Sequence, residues 1–240
     1  NVIQAGMIGC GYWGPNLLRN LVGIESFSVK RVVDTDSKRR AYVSKNFLQS
    51  IEVTESVDDI FHDSSISAVI ISTPAESHYH LTKMALKAKK HVFVEKPLAL
   101  TVSEAIELNE LAETKNCRLM VGHTFLYNSA VNKLKQLIDS QEIGDVYYLY
   151  SKRLNLGIVR QDINVVWNLA PHDVSIILYL LQSLPTAVSA TGVCYLQENI
   201  EDVAFCTLFF PNKISAHIHV SWLDPHKIRN MTVVGNKKMV

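Results

Sequence analysis

Val2-Ile3-Gln4-Ala5-Gly6-Met7-Ile8-Gly9-Cys10-Gly11-Tyr12-Trp13-Gly14 begins as an apolar run, breaks into glycines, and gives way to Leu17, Leu18 and Leu21 at helical spacing. The pattern predicts a strand, a tight turn and a helix. Gly9, Gly11 and Gly14 form a G-x-G-x-x-G turn in which each missing side chain has a use: a sharp bend at Gly9, close approach of a pyrophosphate at Gly11, and tight helix-on-strand packing at Gly14. The following helix would aim its unpaired N–H groups and positive dipole end at the phosphates. Residues 29–34 (Val-Lys-Arg-Val-Val-Asp) read as a second strand ending on a carboxylate, with Asp34 twenty residues past Gly14, where the ribose-binding acid of a dinucleotide site belongs. A carboxylate there accepts from both ribose hydroxyls and repels a 2′-phosphate, which favours NAD over NADP, although Lys38, Arg39 and Arg40 follow closely enough to blunt the preference. The plainer alternative makes Asp34 a turn or N-cap residue.

The 240 residues suffice for one large domain or two modest ones, and 48% apolar content supplies a sizeable core. A net charge of +1 with interspersed signs argues against a nucleic-acid or membrane surface as main partner. Cys10, Cys117, Cys194 and Cys206 lack C-x-x-C spacing, so neither a zinc site nor a disulfide framework is indicated, and no metal is expected. They read as small hydrophobes in a reducing compartment. No apolar run approaches the roughly eighteen residues of a membrane span and no basic-then-apolar leader precedes the first strand, so a cytoplasmic location is expected.

Short β-branched runs at residues 29–33, 68–73, 91–94 and 119–121 alternate with helical stretches at 38–47, 76–88 and 103–115, and 57–61 adds a short helix. Alternation of this kind predicts a parallel, doubly wound α/β sheet. Near Gly122 the rhythm changes. A helix over 129–140 leads to Gly144, then strands at 146–153, 187–196, 204–210 and 213–222 are interrupted by a single clear helix at 171–181. Turns such as Pro211-Asn212 suggest an antiparallel meander. The expected organisation is therefore a nucleotide-binding domain over 1–122 and an α+β domain with an open, mainly antiparallel sheet over 123–240. The chain opens almost inside its first strand, and strand-like residues 231–234 lie close to its last residue, so a longer native chain is expected.

Three clusters sit where such sheets place ligands, at the carboxyl ends of strands. The first is Ser72-Thr73-Pro74-Ala75-Glu76-Ser77-His78-Tyr79-His80. Thr73 and Pro74 would floor the nicotinamide ribose; His78 and His80, two apart, do not share a helix face, which argues against a metal. The second is Glu95-Lys96-Pro97. A lysine ending a buried strand is costly unless paired, and beside a nicotinamide it would donate to a reacting oxygen, whereas the alternative is an ordinary loop ion pair. The X-Pro bond is a candidate for cis. The third is Trp167-Asn168-Leu169-Ala170-Pro171-His172-Asp173. Pro171 suits a first helical turn, which would set His172 at a helix start as proton acceptor, its ring oriented by Asp173 or Asn168, unless it is only a capping residue. Arg153, Asn155 and Arg160 precede it, and the arginines suit an anionic substrate group such as phosphate.

Gly9-Cys10-Gly11-Tyr12-Trp13-Gly14, Thr73-Pro74 with His78, Glu95-Lys96-Pro97 and the helix-entry His172 together resemble the Gfo/Idh/MocA oxidoreductases, from residue 1 to about 235. The resemblance implies a Rossmann domain followed by an α/β domain whose open sheet makes dimer or tetramer contacts, and NAD(P)-linked oxidation of a sugar or cyclitol alcohol. It implies that Lys96 and His172 are catalytic. It also implies that Gly9, Gly11, Tyr12, Trp13, Gly14, Asp34, Thr73, Pro74, His78 and Glu95 hold the cofactor. Tyr127, Arg153, Asn155, Arg160 and Asn168 would then join Lys96 and His172 around the substrate. Many members carry an aspartate four residues before the histidine; Asn168 stands there and cannot take a proton, which puts a relay through that position in doubt. The spellings Gly-Tyr-Trp-Gly-Pro-Asn and Trp-Asn-Leu-Ala-Pro-His-Asp further resemble the branch that oxidises C3 of UDP-N-acetylglucosamine or its uronate. An inositol or free-sugar dehydrogenase, and a non-catalytic NAD-binding regulator, are the competing readings.

Overall fold

The computed structural model describes residues 2–47, 51–157 and 159–240. They fall into two compact units, 1–122 and 123–240. In the first, the elements run β1 (Ile3–Ile8), α1 (Gly14–Val22), β2 (Phe27–Val33), α2 (Ser37–Asn46), β3 (Glu52–Thr54), α3 (Asp58–Phe61), β4 (Ala68–Ile71), α4 (Ala75–Lys87), β5 (His91–Val94), α5 (Val102–Thr114) and β6 (Leu119–Val121). The strands form one sheet in the order β3-β2-β1-β4-β5-β6, every pair parallel. Because successive strand residues point to opposite faces, the sheet has two apolar sides to cover. Ala5, Met7, Val29 and Val32 pack with Leu18 of α1 and Val43 of α2, while Ile8, Val33, Val69 and Ile71 pack with Ile60 of α3, Ala85 and Leu86 of α4 and Leu108 of α5. The expected doubly wound sheet is thus present, and the order reverses between β1 and β4, the switch point where such sheets bind ligands. The three-residue β3 has no counterpart in the sequence reading; Glu52-Val53-Thr54 holds a single apolar residue, unlike the equally short Leu119-Met120-Val121 of β6.

The second unit comprises α6 (Ser129–Asp139), β7 (Val146–Leu154), α7 (Val165–Leu181), β8 (Ala187–Val193), β9 (Val203–Phe209), β10 (Ser215–Ser221) and β11 (Ile228–Gly235), with a 3-10 turn over Thr124–Tyr127 ahead of them. The sheet order is β11-β7-β10-β9-β8. The expected meander needs one correction: β7 and β10 are parallel neighbours, and the other three pairings are antiparallel. A parallel pair requires a crossover, and the segment containing α7 provides it. The buried Val165, Ile176, Ile177 and Leu180 of α7 pack with Leu149, Ala204, Ile218 and Val220 of the sheet. Beyond β11 the chain turns back, with Val240 N–H donating to Val233 O at 3.0 Å and the reverse bond at 2.8 Å. Among the described residues no helix is long and apolar enough to cross a membrane.

α7 begins six residues before Pro171, which lies inside the helix rather than at its start. Asn164 is the cap: its Oδ1 accepts from Trp167 N at 3.1 Å. Glu201 secures that cap, its Oε2 accepting from Asn164 Nδ2 at 2.8 Å and its carbonyl from Val165 N at 2.8 Å. A partner 37 positions away overrides the local preference of proline for a first turn.

Candidate active site

In the first unit the turn after β1 is built by close approach. Gly9 has φ +88°, and a Cβ there would lie 2.7 Å from the Ser72 carbonyl oxygen that ends β4. No other residue adopts that backbone without strain or fits that space. A Cβ on Gly14 would lie 3.0 Å from Gly9 O and 3.3 Å from Met7 Cε, so α1 sits hard against its strand. The space beside Gly11 is filled by the Arg39 guanidinium. At the start of α1, Trp13 offers no side-chain cap and Pro15 no N–H, and Tyr12 is 88% exposed. An open helix start behind a cradle of glycines suits a pyrophosphate.

Asp34 is tied into the same turn, Oδ2 accepting from Cys10 N at 2.7 Å and Oδ1 from Asp36 N at 2.9 Å. It therefore serves as a turn residue, and each carboxylate oxygen keeps lone-pair capacity for a ribose hydroxyl. Arg40 is committed internally: Nη1 donates to Asp34 O and Thr35 O, and Nη2 meets Glu55 Oε2 at 3.2 Å. Burial and the neighbouring Asp34 push the Cys10 thiol up to about 11, against the Arg39 charge.

Thr73 and Pro74 follow β4, with Pro74 at the residue before α4 and making no side-chain cap. His78, expected at the cofactor, lies near the start of α4. It is 1% exposed, and its ring nitrogens lie 2.6 Å from Pro97 O and 2.8 Å from Thr73 O. It holds the loop after β4 to the loop after β5. Glu95 and Lys96 follow β5 at the carboxyl edge, and the Lys96–Pro97 peptide is cis. The Glu95 carboxylate lies against Gly122, where a Cβ would come within 3.1 Å of it, and its Oε1 is buried without a hydrogen-bond partner among the described residues. Burial raises its pKa, opposed by the Lys96 N–H and charge and by the Trp13 side chain. An orphaned acceptor beside the glycine turn is what a bound group would satisfy, so these residues fit a dinucleotide.

In the second unit His172 lies one helical turn past Asn168 on α7. Asn168 Oδ1 accepts from Trp222 Nε1 at 3.2 Å. The His172 ring meets Phe125 edgewise, centroids 4.8 Å apart at 62°. Asp173 does not orient it as expected. Both Asp173 oxygens are taken by Arg153, from Nε at 2.8 Å and Nη2 at 3.0 Å, with both side chains buried. Arg153 is thus engaged in a buried ion pair within the second unit. Arg160 forms a bidentate pair with Asp162 at 2.7 and 2.5 Å, which spends its fork on a neighbour. Tyr127 is exposed beside a shallow cavity of about 200 Å³ that Thr124, Phe125 and Asn128 also line. Asn155 N–H donates to Ser221 O at 3.1 Å, tying the end of β7 to β10. Phe125, Asp173 as an ion-pair partner, and Trp222 escaped the sequence reading because each matters through a contact distant in sequence.

Residues 3–123 match the family described as oxidoreductase family, NAD-binding Rossmann fold, and residues 131–240 match the GFO/IDH/MocA C-terminal domain. The chain belongs to the Gfo/Idh/MocA family. An oxidoreductase of Bacillus subtilis (strain 168) is 27% identical over 227 residues, covering 90% of this chain and 66% of the relative. An inositol 2-dehydrogenase of Salmonella typhimurium is 29% identical over 187 residues, covering 75% of this chain and 54% of the relative. Among solved structures, GenD2 from gentamicin A biosynthesis in complex with NAD superimposes with a TM-score of 0.92 at 22% identity, over all of this chain and 71% of that one. A Lactobacillus casei scyllo-inositol dehydrogenase with bound NAD(H) and scyllo-inositol gives 0.88 at 20%, over all of this chain and 76% of that one. At those identities the likeness is one of fold. The chain spans about 54% to 66% of the length of the two curated relatives.

Two outcomes follow from this Gfo/Idh/MocA site. Iodoacetamide at about pH 8 modifies exposed Cys194 and leaves Cys10 unlabelled, read by peptide mass spectrometry, because a buried thiol with a raised pKa yields little thiolate. Glu95 holds its proton to higher pH in the native state than in the unfolded chain, so the native state binds the extra proton and stability falls as pH rises above the ordinary carboxyl value of 4.5. Glu95→Gln is therefore more thermostable than the parent at about pH 7.5, and the gain shrinks on acidification toward that ordinary value.

Proposed function

We propose that the chain forms the NAD-binding and catalytic portion of a dehydrogenase that oxidises a secondary alcohol of a sugar or cyclitol. The observation that carries this is a lysine, Lys96, at the carboxyl edge of a parallel sheet whose glycine turn, ribose-side carboxylate and orphaned Glu95 oxygen suit a dinucleotide. A relative named inositol 2-dehydrogenase adds the substrate class. When bound, NAD supplies the hydride acceptor. In the proposed mechanism His172 is the acceptor of the hydroxyl proton as the carbinol becomes a carbonyl, and Lys96 is the hydrogen-bond donor that steadies developing negative charge. Asn168 holds its place by hydrogen bonding and receives no proton. Asp34, with both oxygens already bridging backbone N–H groups, disfavours a second negative charge at the ribose and so favours NAD over NADP.

The finer substrate reading is C3 of a UDP-N-acetylhexosamine or its uronate, supported by the spelling around Gly11–Asn16 and Trp167–Asp173. Inositol or a free sugar is the second reading, supported by the named relative. Arg153 and Arg160 each pair with a carboxylate of this chain, which weakens the phosphate-binding argument for the first. Oxidation of a panel holding UDP-N-acetylglucosamine, its uronate, myo-inositol and scyllo-inositol separates them; tight NAD binding with no oxidation of any member would instead favour a regulator. Lys96→Ala lowers kcat by about 10²–10⁴-fold while the Kd for NAD stays within about threefold, measured by steady-state kinetics and fluorescence titration. Wild-type turnover in that variant would overturn the mechanism.

The sheet face opposite α7 supports a homodimer or homotetramer. Phe205 and Phe209 of β9 and Tyr148 of β7 stand exposed on it, and His219 stacks on Phe205 at 4.3 Å. Phe205→Glu with Phe209→Lys would disrupt a shared apolar face, so sedimentation velocity should show a smaller species than the parent forms.

A further inference from the structure

We propose that Arg153 and Phe125 are positioning residues that fix the His172 ring, an inference that rests on the proposed role of His172 as proton acceptor. One planar guanidinium makes both connections. Its edge forms the two bonds to Asp173, the residue immediately after His172, which locks the rotational setting of α7 against β7. Its carbon, Cζ, lies 4.5 Å from the centre of the Phe125 ring, and that ring in turn contacts His172 at 4.8 Å. The backbone beside His172 and the aromatic surface against its imidazole are thus set by the same group. A histidine turns about two side-chain bonds, and a packed aromatic neighbour restricts the second. Arg229, opposite Arg153 on β11, reaches the same ring only at 5.9 Å and is exposed, so it adds attraction but no fixed geometry.

Burying a guanidinium–carboxylate pair is a poor way to gain stability, since desolvation of both ions offsets their attraction. Its value lies in orientation: a bidentate pair admits one relative placement of helix and strand. Lysine keeps the charge but has neither the fork nor the flat face, so Arg153→Lys separates charge from geometry.

The test compares Arg153→Lys, Phe125→Leu, Phe125→Tyr and His172→Asn in kinetics with the oxidised panel member, alongside NMR of histidine-labelled protein in which His172→Asn assigns the ring signals. Arg153→Lys and Phe125→Leu are expected to lower kcat by about 10- to 100-fold with KM and the Kd for NAD within about threefold, because a misplaced proton acceptor costs turnover rather than binding. Phe125→Tyr restores at least half the parent kcat. The His172 ring-proton resonances move in Phe125→Leu and Arg153→Lys and return in Phe125→Tyr, a readout that loss of stability alone would not give. Should Arg153→Lys fail to fold, Arg153→Met with Asp173→Leu replaces the ion pair by an apolar contact of similar size, and kcat is still expected to fall. Wild-type kcat and unmoved ring resonances in these variants, with His172→Asn inactive, would overturn the positioning role and leave the dehydrogenase reading standing. Wild-type activity in His172→Asn would overturn the dehydrogenase mechanism instead, and the ring resonances would still decide whether Arg153 and Phe125 hold the imidazole.

Discussion

The nucleotide half depends on how closely the turn after β1 approaches the end of β4. Gly9 lies so near the Ser72 carbonyl that a single methyl group would not fit, and its φ of +88° closes the turn at no cost only for glycine. This approach brings the starts of α1 and α4 to one edge of the sheet, at the point where strand order reverses. Two helix starts and the loop after β5 then share that edge, which is where a parallel sheet offers unsatisfied backbone donors and room for a ligand.

The same edge is held together by polar bonds as well as apolar packing. His78 reaches the carbonyls of Thr73 and Pro97, and Asp34 reaches the N–H groups of Cys10 and Asp36. The buried His78 ring would be costly if left unpaired, so its pairing selects one arrangement of the loops. Ser72 and Glu95 depart from this. Ser72 Oγ is buried without a partner among the described residues. The buried Oε1 of Glu95 likewise has no hydrogen-bond partner among them, and the raised pKa of Glu95 records the cost of burial. Unmet hydrogen bonds of this kind concentrate where a ligand completes the structure. In the second unit the buried Arg153–Asp173 pair is the polar device, set between α7 and β7 where apolar side chains would have given equal or greater stability.

Several features were legible in the chain because they are local or periodic. Alternating short β-branched and longer amphipathic runs located every strand and helix of the first unit except the three-residue β3. The glycine turn, the spacing to Asp34, and Lys96 before a proline each occupy a handful of adjacent residues. The start of α7 was misread because proline at a first turn is a sound local rule, while the Asn164 cap is secured by Glu201 from another part of the chain. The parallel pairing of β7 with β10 was likewise invisible, since strand patterns reveal faces but not neighbours.

The sequence by itself determined the two-unit α/β organisation, the dinucleotide turn and the acidic residue paired with it, because backbone conformation and hydrophobic period act over a few residues. Only the tertiary structure decided what the charged side chains are for. Arg153 and Arg160 look alike on paper as anion receptors, yet one closes a buried ion pair with Asp173 and the other a half-exposed pair with Asp162. The reason is that a charge acts through whatever lies within a few ångströms of it and through its access to water, and neither quantity is written in chain order.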